Sequence, residues 1–585
     1  MSQNANANSS PRYLFVGDTA LKGRTDGIRS SMIRRALSDS RARRRQEVSK
    51  EMDSMLRRRD SVLCNCPAPL PGPVDRCHTP NAPRQSTATY RRIQPRTRQA
   101  TVTEALSARC QSCGGMLPGI SPPMASFQAG NRDPMLPSDP NLPGIEVQDI
   151  LNFAGTQIWR NMRPLDYSSN CYREWVFPWE DKLKIYIVLW SASYHRDMLR
   201  ITNAPNQEVD STPQLQLKAL ALNRLREEVD NVSLVTSPDG LVMSILFLAV
   251  NVSHRTGLGG ETSPFSPPFT GLHALNHYGS RKYHPVHWGI LHNIIQRFGG
   301  VGSIKAFAVA WLLSISDIMN AVNTLQMPIY PPLGAHGQVL DLKAPLALFN
   351  IRGLGLPPNS PAGLGFQALA SLSPRIRQEV INVFTNVGQY SCVVQYYSIE
   401  TCSPAILDLL GDSRNLVHHR LFSLLDENAD LSQVLESHGP SAEEDSDLSQ
   451  ELYLFCRSSV ILYAVHVSYP IPRPQGLRTR ILATLRPRLD GLMATSHGAL
   501  EPLLLWSLVV IVISSGDIAP VQLLKYVGQL CSKLKVDSKE KLLRILRSFA
   551  WVESAVPDTA PFWVLSASCF SRAARTNRAL RQDDL

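Results

Sequence analysis

The sequence predicts an all-α protein, in which a multi-helix body follows a largely disordered basic N-terminal arm and a proline-rich linker. Three observations lead to this fold class. Apolar side chains recur at helical spacing from about Ile145 onward, basic residues concentrate in the first 109 positions, and prolines concentrate between 61 and 144. A chain of 585 residues that is 43% hydrophobic is also long enough to bury a large core.

Two segments of the body carry the pattern of an amphipathic helix. In the first, apolar residues alternate with charged ones, so we expect the charges to face the solvent. Its apolar positions are Leu215, Leu217, Leu220, Leu222, Leu225 and Val229. The second segment places its apolar side chains on one helix face. They are Leu523, Leu524, Val527, Leu530, Cys531 and Leu534.

Local signals also predict where helices begin. Ser373 and Pro374 are typical of a capping residue followed by a first-turn proline, and an apolar helical pattern starts soon after them at Val380. The spacing from Asp537 to Glu540 fits a capping box ahead of another apolar helix face. Both positions are therefore predicted helix starts.

One long apolar run and two interruptions complete the pattern of the body. The run from Pro502 to Ile513 is shorter than the roughly 18 to 20 residues that cross a bilayer, so it predicts a buried core helix. The stretch from about Tyr330 to Gly365 is rich in glycine and proline, and Ser441 to Asp447 is acidic. Both stretches are predicted to be surface loops.

The positive charge of the chain is concentrated at its N-terminal end. Residues 1–60 contain fourteen basic and seven acidic side chains, and residues 61–109 contain seven and two. The first 109 positions thus carry a net charge of +12. Because the net charge of the whole chain is +11, the remaining residues carry −1. Such a partition predicts a polyanionic partner or an import receptor for the arm and no strongly charged partner for the body.

The strongest local signal is a cluster of arginines in a predicted helix from Asp26 to about Arg59. Its members are Arg29, Arg34, Arg35, Arg41, Arg43, Arg44, Arg45, Arg57, Arg58 and Arg59. The cluster favours nuclear import or nonspecific contact with DNA phosphates over the structural alternative, a solvated charged helix face.

Two groups of residues have the side chains of metal ligands. The first comprises Cys64, Cys66, Cys77, His78, Cys110 and Cys113, and the second comprises His273, His277, His284, His287 and His292. The cysteine spacing matches neither a binuclear zinc cluster nor a two-Cys, two-His finger, so incidental cysteines are favoured over a zinc site. The histidines lack the acidic neighbour of a helical zinc motif, which favours structural roles although His273 and His277 have i, i+4 spacing.

No motif in the chain points to catalysis. The glycines from Gly299 to Gly302 follow a helical pattern, which is typical of a helix C-terminus rather than a phosphate loop. We therefore predict no catalytic residues, no metal, no cofactor and no enzymatic activity. The scattered cysteines, together with an N-terminus unlike a secretory signal, predict a reducing compartment.

Several segments of the body, in their order along the chain, resemble the fungal-specific transcription factor domain family. They are Trp175–Trp179, His287–Gly300, Glu501–Gly516, and Leu543–Glu553 followed by Phe562–Trp563. The N-terminus, with Phe15–Val16 and Arg29–Arg35, is similar to a variant of the family that lacks the binuclear zinc cluster. The resemblance covers about Ile145 to Trp563.

The resemblance implies a nuclear protein that regulates transcription. Charge and composition predict a basic arm (1–60), a disordered linker (61–144) and a short C-terminal tail (571–585), and the resemblance implies that residues 145–570 form a helical regulatory domain. The implied partners are the transcription machinery or other regulators, an import receptor and DNA through the arm, with no membrane. The alternative is a cytoplasmic helical scaffold whose basic arm binds RNA or an acidic membrane.

Overall fold

The computed structural model describes residues 139, 141–142, 145–177, 180–203, 211–231, 237–251, 262–351, 361–436, 446–494, 498–516, 521–556 and 562–563. Within these ranges the chain forms seventeen α-helices, several short 3₁₀ and π segments, and no β-strand beyond two isolated bridges. The predicted all-α class is therefore confirmed. The arm, nearly all of the linker, and the C-terminal tail lie outside the described residues, as do the predictions made for them.

The first nine helices lie between residues 147 and 324. They are α1 (Val147–Phe153), α2 (Arg160–Met162), α3 (Tyr167–Cys171), α4 (Lys182–Asn203), α5 (Thr212–Asp230), α6 (Asp239–Val250), α7 (Leu275–Tyr278), α8 (Pro285–Arg297) and α9 (Val309–Thr324). The remaining eight are α10 (Pro345–Leu348), α11 (Gln378–Tyr397), α12 (Pro404–Phe422), α13 (Ser446–Tyr463), α14 (Gln475–Met493), α15 (Glu501–Ser514), α16 (Val521–Lys533) and α17 (Lys539–Ser548).

The helices surround two apolar cores. The one that we call the N-terminal core takes its buried residues from Leu142 to Ala335, and the C-terminal core takes its own from Phe265 to Trp563. The two sets overlap in sequence because the segment between 265 and 335 contributes to both. Tyr278 and Tyr283 are partly buried against both cores. The cores therefore share a boundary, and the residues at that boundary decide how they fit together.

Helix α15 is the central helix of the C-terminal core. Every residue from Leu503 to Ser514 is buried, which is the behaviour of a helix that is apolar on all sides. The indole nitrogen of Trp506 donates to the carbonyl oxygen of Ala550 at 2.8 Å, so its single polar group is satisfied. The predicted core helix is confirmed. Among the helices that the structure describes, none combines the length and apolarity that a bilayer crossing requires.

Two further helix predictions are confirmed. Helix α8 buries Leu291 and Ile295 as expected and ends at Arg297, whereas Trp288 and Phe298, which were also expected to be buried, are only partly buried. Gly299 and Gly300 follow it with φ angles of 92° and 88°, a left-handed conformation that glycine adopts without strain. Helix α16 buries most of the apolar face predicted for it, namely Leu523, Val527, Leu530 and Cys531.

The surface loop predicted for residues 330–365 is wrong over the part that the structure describes. Tyr330 and Phe349 are buried there. The reason lies in helix α9, where the carboxylate of Asp317 accepts hydrogen bonds from the backbone N–H groups of Ile329 and Tyr330 at 2.6 and 2.7 Å. A loop can be buried when internal partners satisfy its polar backbone groups. The acidic loop, by contrast, falls largely on residues outside the described ranges.

The predicted start of α11 is also wrong. The helix begins at Gln378 rather than just after Ser373–Pro374. The intervening residues are extended instead, because Ile376 forms an isolated antiparallel bridge with Leu435 and the N–H of Arg377 donates to the carbonyl oxygen of Val434. Tertiary pairing thus takes precedence over the local helix-start signal.

At the start of α17 the cap is displaced by one residue. The hydroxyl of Ser538 accepts from the backbone N–H of Lys541 at 3.3 Å, so Ser538 is the capping residue. The carboxylate of Asp537 pairs instead with the ammonium of Lys541 at 2.7 Å. The ammonium group therefore competes with the helix N-terminus for this carboxylate, and the neighbouring serine caps the helix.

Helix α5 is correctly predicted, but its apolar residues do not all face the core. The buried face is formed by Gln214, Leu217 and Ala221. Leu215, Leu222 and Val229 are exposed, although we expected the charged residues to occupy the solvent side. The apolar band is wider than the face that α4 and α6 can cover, since only part of a helix circumference contacts its neighbours.

Two helical glycines allow a test of the packing between α11 and the C-terminal end of the body. A Cβ at Gly388 would lie 2.3 Å from the carbonyl oxygen of Phe549, whereas a Cβ at Gly289 in α8 would meet nothing within 4 Å. We expect Gly388→Ala to lower the free energy of unfolding by about 1–3 kcal/mol because backbone atoms must move. We expect Gly289→Ala to raise it by up to about 1 kcal/mol because alanine favours the helix. Urea denaturation measures both, and equal shifts would contradict this packing.

Candidate functional site

A buried cluster of charged residues lies where the two cores meet. It consists of Arg163, Asp408, Asp412 and Arg414, and we call it the buried charge cluster. Arg163 directly follows α2 in the N-terminal core and has an extended backbone. The other three residues lie on α12, whose apolar side chains belong to the C-terminal core. The cluster therefore joins elements of both cores.

Arg163 contacts both carboxylates on α12. Its Nη1 and Nη2 atoms donate to the two oxygens of Asp412 at 2.6 and 3.1 Å, and its Nη2 lies 3.5 Å from an oxygen of Asp408. The side chains of Arg163, Asp412 and Asp408 are only 12%, 6% and 8% exposed, respectively. The guanidinium group also lies 5.4 Å from the ring centroid of Trp311. This geometry is the two-pronged arginine–carboxylate pairing that fixes orientation as well as distance.

Burial and charge act in opposite directions on these groups. Burial by itself lowers the pKa of Arg163, but the charges of Asp412 and Asp408 outweigh it and raise the pKa above its ordinary value. Burial raises the pKa of Asp408 to about 7, and the attraction of Arg163 only partly opposes that shift. One guanidinium group thus pairs with two carboxylates. Asp408 has the longer contact with it, and the charge of this carboxylate is costly to bury.

Arg414 is the second positive charge of the cluster. It is 1% exposed, its Nη2 donates to the carbonyl oxygen of Leu272 at 3.0 Å, and its guanidinium group lies 5.1 Å from the ring centroid of Tyr469. In the described part of the chain its Nε and Nη1 atoms have no hydrogen-bond partner. Burial lowers the pKa of this arginine, and the nearby Tyr390, Tyr469 and Asp412 partly oppose that shift.

His273 lies beside the cluster in a 3₁₀ turn, Leu272–Ala274, with a left-handed φ of 52°. Its Nδ1 lies 3.1 Å from the side-chain nitrogen of Asn415, and its ring packs edge-on against Trp311. Burial and the two arginines of the cluster hold its pKa well below the ordinary value, so the ring is neutral. The i, i+4 spacing of His273 and His277 does not place them on one helix face, because His277 belongs to α7 and the left-handed turn interrupts the helix between them.

A cavity of about 70 Å³ adjoins His273 on the side of the N-terminal core. We call it the aromatic cavity. Its wall is formed by parts of α2, α3, α4, α6 and α9 and by the segments beside them. Its lining residues include Trp159, Tyr167, Trp175, Ser191, Ala192, Asn251, His273 and Tyr278.

The polar groups of the cavity wall are held by a chain of hydrogen bonds. The side-chain nitrogen of Asn251 donates to the hydroxyl of Ser191 at 3.3 Å, and its oxygen accepts from Arg281 at 3.0 Å. The hydroxyl of Tyr278 is 2.9 Å from Nδ1 of His195, whose pKa burial lowers to about 3. These bonds fix the polar groups in place while leaving the cavity itself open.

The arginines predicted as the import or nucleic-acid site lie outside the described residues, and so does the cysteine group. In the ranges that the structure describes, no set of three or more His, Cys, Asp or Glu side chains is placed to hold a metal ion. Arg163 and its partners were not predicted as a site from the sequence. One signal was available: two acids one helical turn apart, Asp408 and Asp412, interrupt an otherwise apolar stretch of α12. The aromatic cavity left no such signal.

Removing Arg163 tests how much the buried charge cluster contributes to the free energy of unfolding. We expect Arg163→Leu to lower the free energy of unfolding by about 3–5 kcal/mol, because the buried carboxylate of Asp412 would lose its counter-charge. The matched control is Arg224→Leu, which removes an exposed ion pair with Glu227 and should cost no more than about 1 kcal/mol. Urea denaturation at pH 7 measures both. Similar losses in the two variants would show that the buried pairing contributes no more than a surface pair.

The raised pKa of Asp408 predicts how stability depends on pH. The folded protein holds the proton of this carboxyl up to about pH 7, whereas the unfolded chain releases it near the ordinary pKa of 3.8. Stability from this group is therefore greatest at low pH and declines until the pH passes about 7. We expect the decline in unfolding free energy between pH 5 and pH 8 to be about 2–3 kcal/mol smaller in Asp408→Asn.

Asp317 does not disturb that comparison. Burial raises its pKa to about 6, but it is present in both proteins, so its contribution cancels. Asp230→Asn, which changes an exposed carboxyl at the end of α5, serves as the control variant. An unchanged pH dependence in Asp408→Asn would contradict the assigned protonation.

Comparison of the chain with protein-family models, with curated proteins and with solved structures finds no match.

Proposed function

We propose that this protein regulates transcription in the nucleus without catalysing a reaction. In this proposal the helical body binds other regulators or the transcription machinery, and the N-terminal arm binds an import receptor and DNA phosphates. The observation that carries the proposal is the partition of charge, with +12 in the first 109 residues and −1 in the rest. Arginines clustered in this way bind polyanions and acidic receptor grooves through summed Coulomb attraction.

The resemblance to the fungal-specific transcription factor domain family supports the same role. The segment from 287 to 300 contains α8 with its glycine C-terminus, and the segment from 501 to 516 contains α15. The segment from 543 to 553 includes most of α17. The family resemblance rests on the order of these segments, and each one has an apolar face buried in one of the two cores.

A second function fits the same charge distribution. A cytoplasmic scaffold would use the arm to bind RNA or an acidic membrane, since each of these surfaces presents phosphates to arginine. The two functions differ in where the protein accumulates and in which polyanion it binds near physiological salt.

The test of the arm exchanges arginines for uncharged residues of similar size. We expect a fourfold variant, Arg41→Gln, Arg43→Gln, Arg44→Gln and Arg45→Gln, to lose most of its nuclear accumulation, measured by imaging of the tagged full-length chain. The matched control removes the same charge from the linker. It consists of Arg91→Gln, Arg92→Gln, Arg96→Gln and Arg98→Gln, and it should remain nuclear.

Binding in vitro distinguishes the alternatives. If the arm contacts DNA, the wild-type chain should bind duplex DNA with an affinity that falls steeply with salt, and the fourfold arm variant should show a shallower salt dependence. Unchanged nuclear accumulation of the arm variant would overturn the import role. Cytoplasmic wild-type protein that retains RNA or anionic vesicles near physiological salt would favour the scaffold.

A further inference from the structure

The aromatic cavity has no role in the function proposed above, and its wall has a distinct chemistry. The ring of Trp175 packs edge-on against two other lining rings, with centroids 5.9 Å from Trp159 and 6.2 Å from Tyr167. The indole nitrogen of Trp175 is already occupied by the carbonyl oxygen of Phe307 at 2.9 Å. Apart from the hydroxyl of Tyr167, this part of the wall therefore offers ring faces and edges, a surface suited to another ring.

The size of the cavity limits what can enter it. A single water needs at least about 10–15 Å³ of such space, so about 70 Å³ is room for more than one water or for one small organic molecule. Several waters would find few partners along an aromatic wall, because an ordered water needs two to four polar contacts. The dimensions and the wall together favour one compact organic molecule.

Two hydrogen-bond donors remain available at the polar part of the wall. Because Arg281 can only donate, the oxygen of the Asn251 side chain must face it, and the nitrogen must face Ser191. That nitrogen carries a second hydrogen, and the hydroxyl of Ser191 keeps its own. Neither of these two hydrogens is donated to a residue that the structure describes. Both donors suit a single oxygen atom of a ligand.

The charge of the ligand follows from the lining residues. None of the described side chains that line the cavity is an arginine, lysine, aspartate or glutamate. An ionised group placed inside would lose its hydration without gaining a counter-charge, which is strongly unfavourable. The positive charge of Arg281 acts from behind Asn251, where it polarises the amide and strengthens it as a donor.

We propose that the aromatic cavity is a binding site for a small uncharged ring compound that carries one hydroxyl or carbonyl oxygen. The oxygen accepts hydrogen bonds from Ser191 and Asn251, and the ring packs against Trp159 and Trp175. This site does not depend on the arm or on its partner, so it can be correct even if the proposed function is wrong.

The experiment is isothermal titration calorimetry of the full-length chain with three probes. Phenol has the ring and the oxygen, benzene lacks the oxygen, and benzoate carries a charge. We expect phenol to bind, benzene to bind about 3- to 10-fold more weakly, as the loss of a hydrogen bond implies, and benzoate not to bind. Ser191→Ala removes one of the two donors and should lower the affinity for phenol by part of that difference.

Two variants make the result specific to the cavity. Ser193→Ala changes a fully buried serine on the same helix that does not line the cavity, so it should bind phenol as the wild type does. Ala192→Leu places a larger side chain in the space and should abolish phenol binding. Should that variant fail to fold, Ser191→Ala and Ser193→Ala still decide the question.

Three outcomes would overturn the proposal. The first is the absence of phenol binding to the wild-type chain, which would mean that the cavity holds water only. The second is equal phenol affinity in the wild type, Ser191→Ala and a folded Ala192→Leu variant, which would place binding elsewhere. The third is benzoate binding as tight as that of phenol, which would contradict an uncharged ligand.

Discussion

The pairing of Arg163 with two carboxylates of α12 is the constraint on which the arrangement of the two cores depends. A buried ion is strongly unfavourable unless its partner is held at the correct distance and angle. Arg163 and Asp412 meet this condition with contacts of 2.6 and 3.1 Å. Apolar contacts tolerate some sliding, whereas a two-pronged ionic contact does not. The pairing therefore fixes the end of α2 against the middle of α12.

The aromatic cavity and the buried charge cluster are neighbours through two residues. Met162 lines the cavity and directly precedes Arg163 in the chain. His273 also lines the cavity, and it contacts Asn415 on α12. A shift in the position of Met162 or His273 would therefore change both the aromatic cavity and the buried charge cluster. A small internal space and the contact between the cores share the same short stretches of backbone.

Much of the fold could be predicted from the sequence, because its signals are local. The periodicity of α16, the glycine end of α8 and the uniform apolarity of α15 each lie within about a dozen residues of sequence. The burial of Tyr330 could not be predicted in this way, since it depends on Asp317 presenting a carboxylate to a loop that looks polar and flexible in sequence. The start of α11 was misplaced for the same reason, because a partner segment some sixty positions away sets it.

The candidate site was less predictable than the fold. Arg163 and Asp412 are separated by 249 positions, and neither belongs to a recognisable motif. The cavity is a space between side chains from several helices, so no pattern of residues in the sequence predicts it. The arginine cluster of the arm was the clearest signal in the sequence. It lies outside the described residues, so its role remains a prediction.

The face that α12 turns toward the N-terminal core has an unusual composition. Asp408, Gly411, Asp412 and Asn415 follow one another at the spacing of a single helix face, where an apolar stripe would normally lie. Gly411 belongs there because a Cβ would come within 2.3 Å of the His273 ring. Water solvates such a polar face well, so separating it from Arg163 and His273 would expose a polar surface rather than an apolar one. Along this strip the two halves of the body meet through ions and amides, and the protonation of Asp408 makes that contact depend on pH.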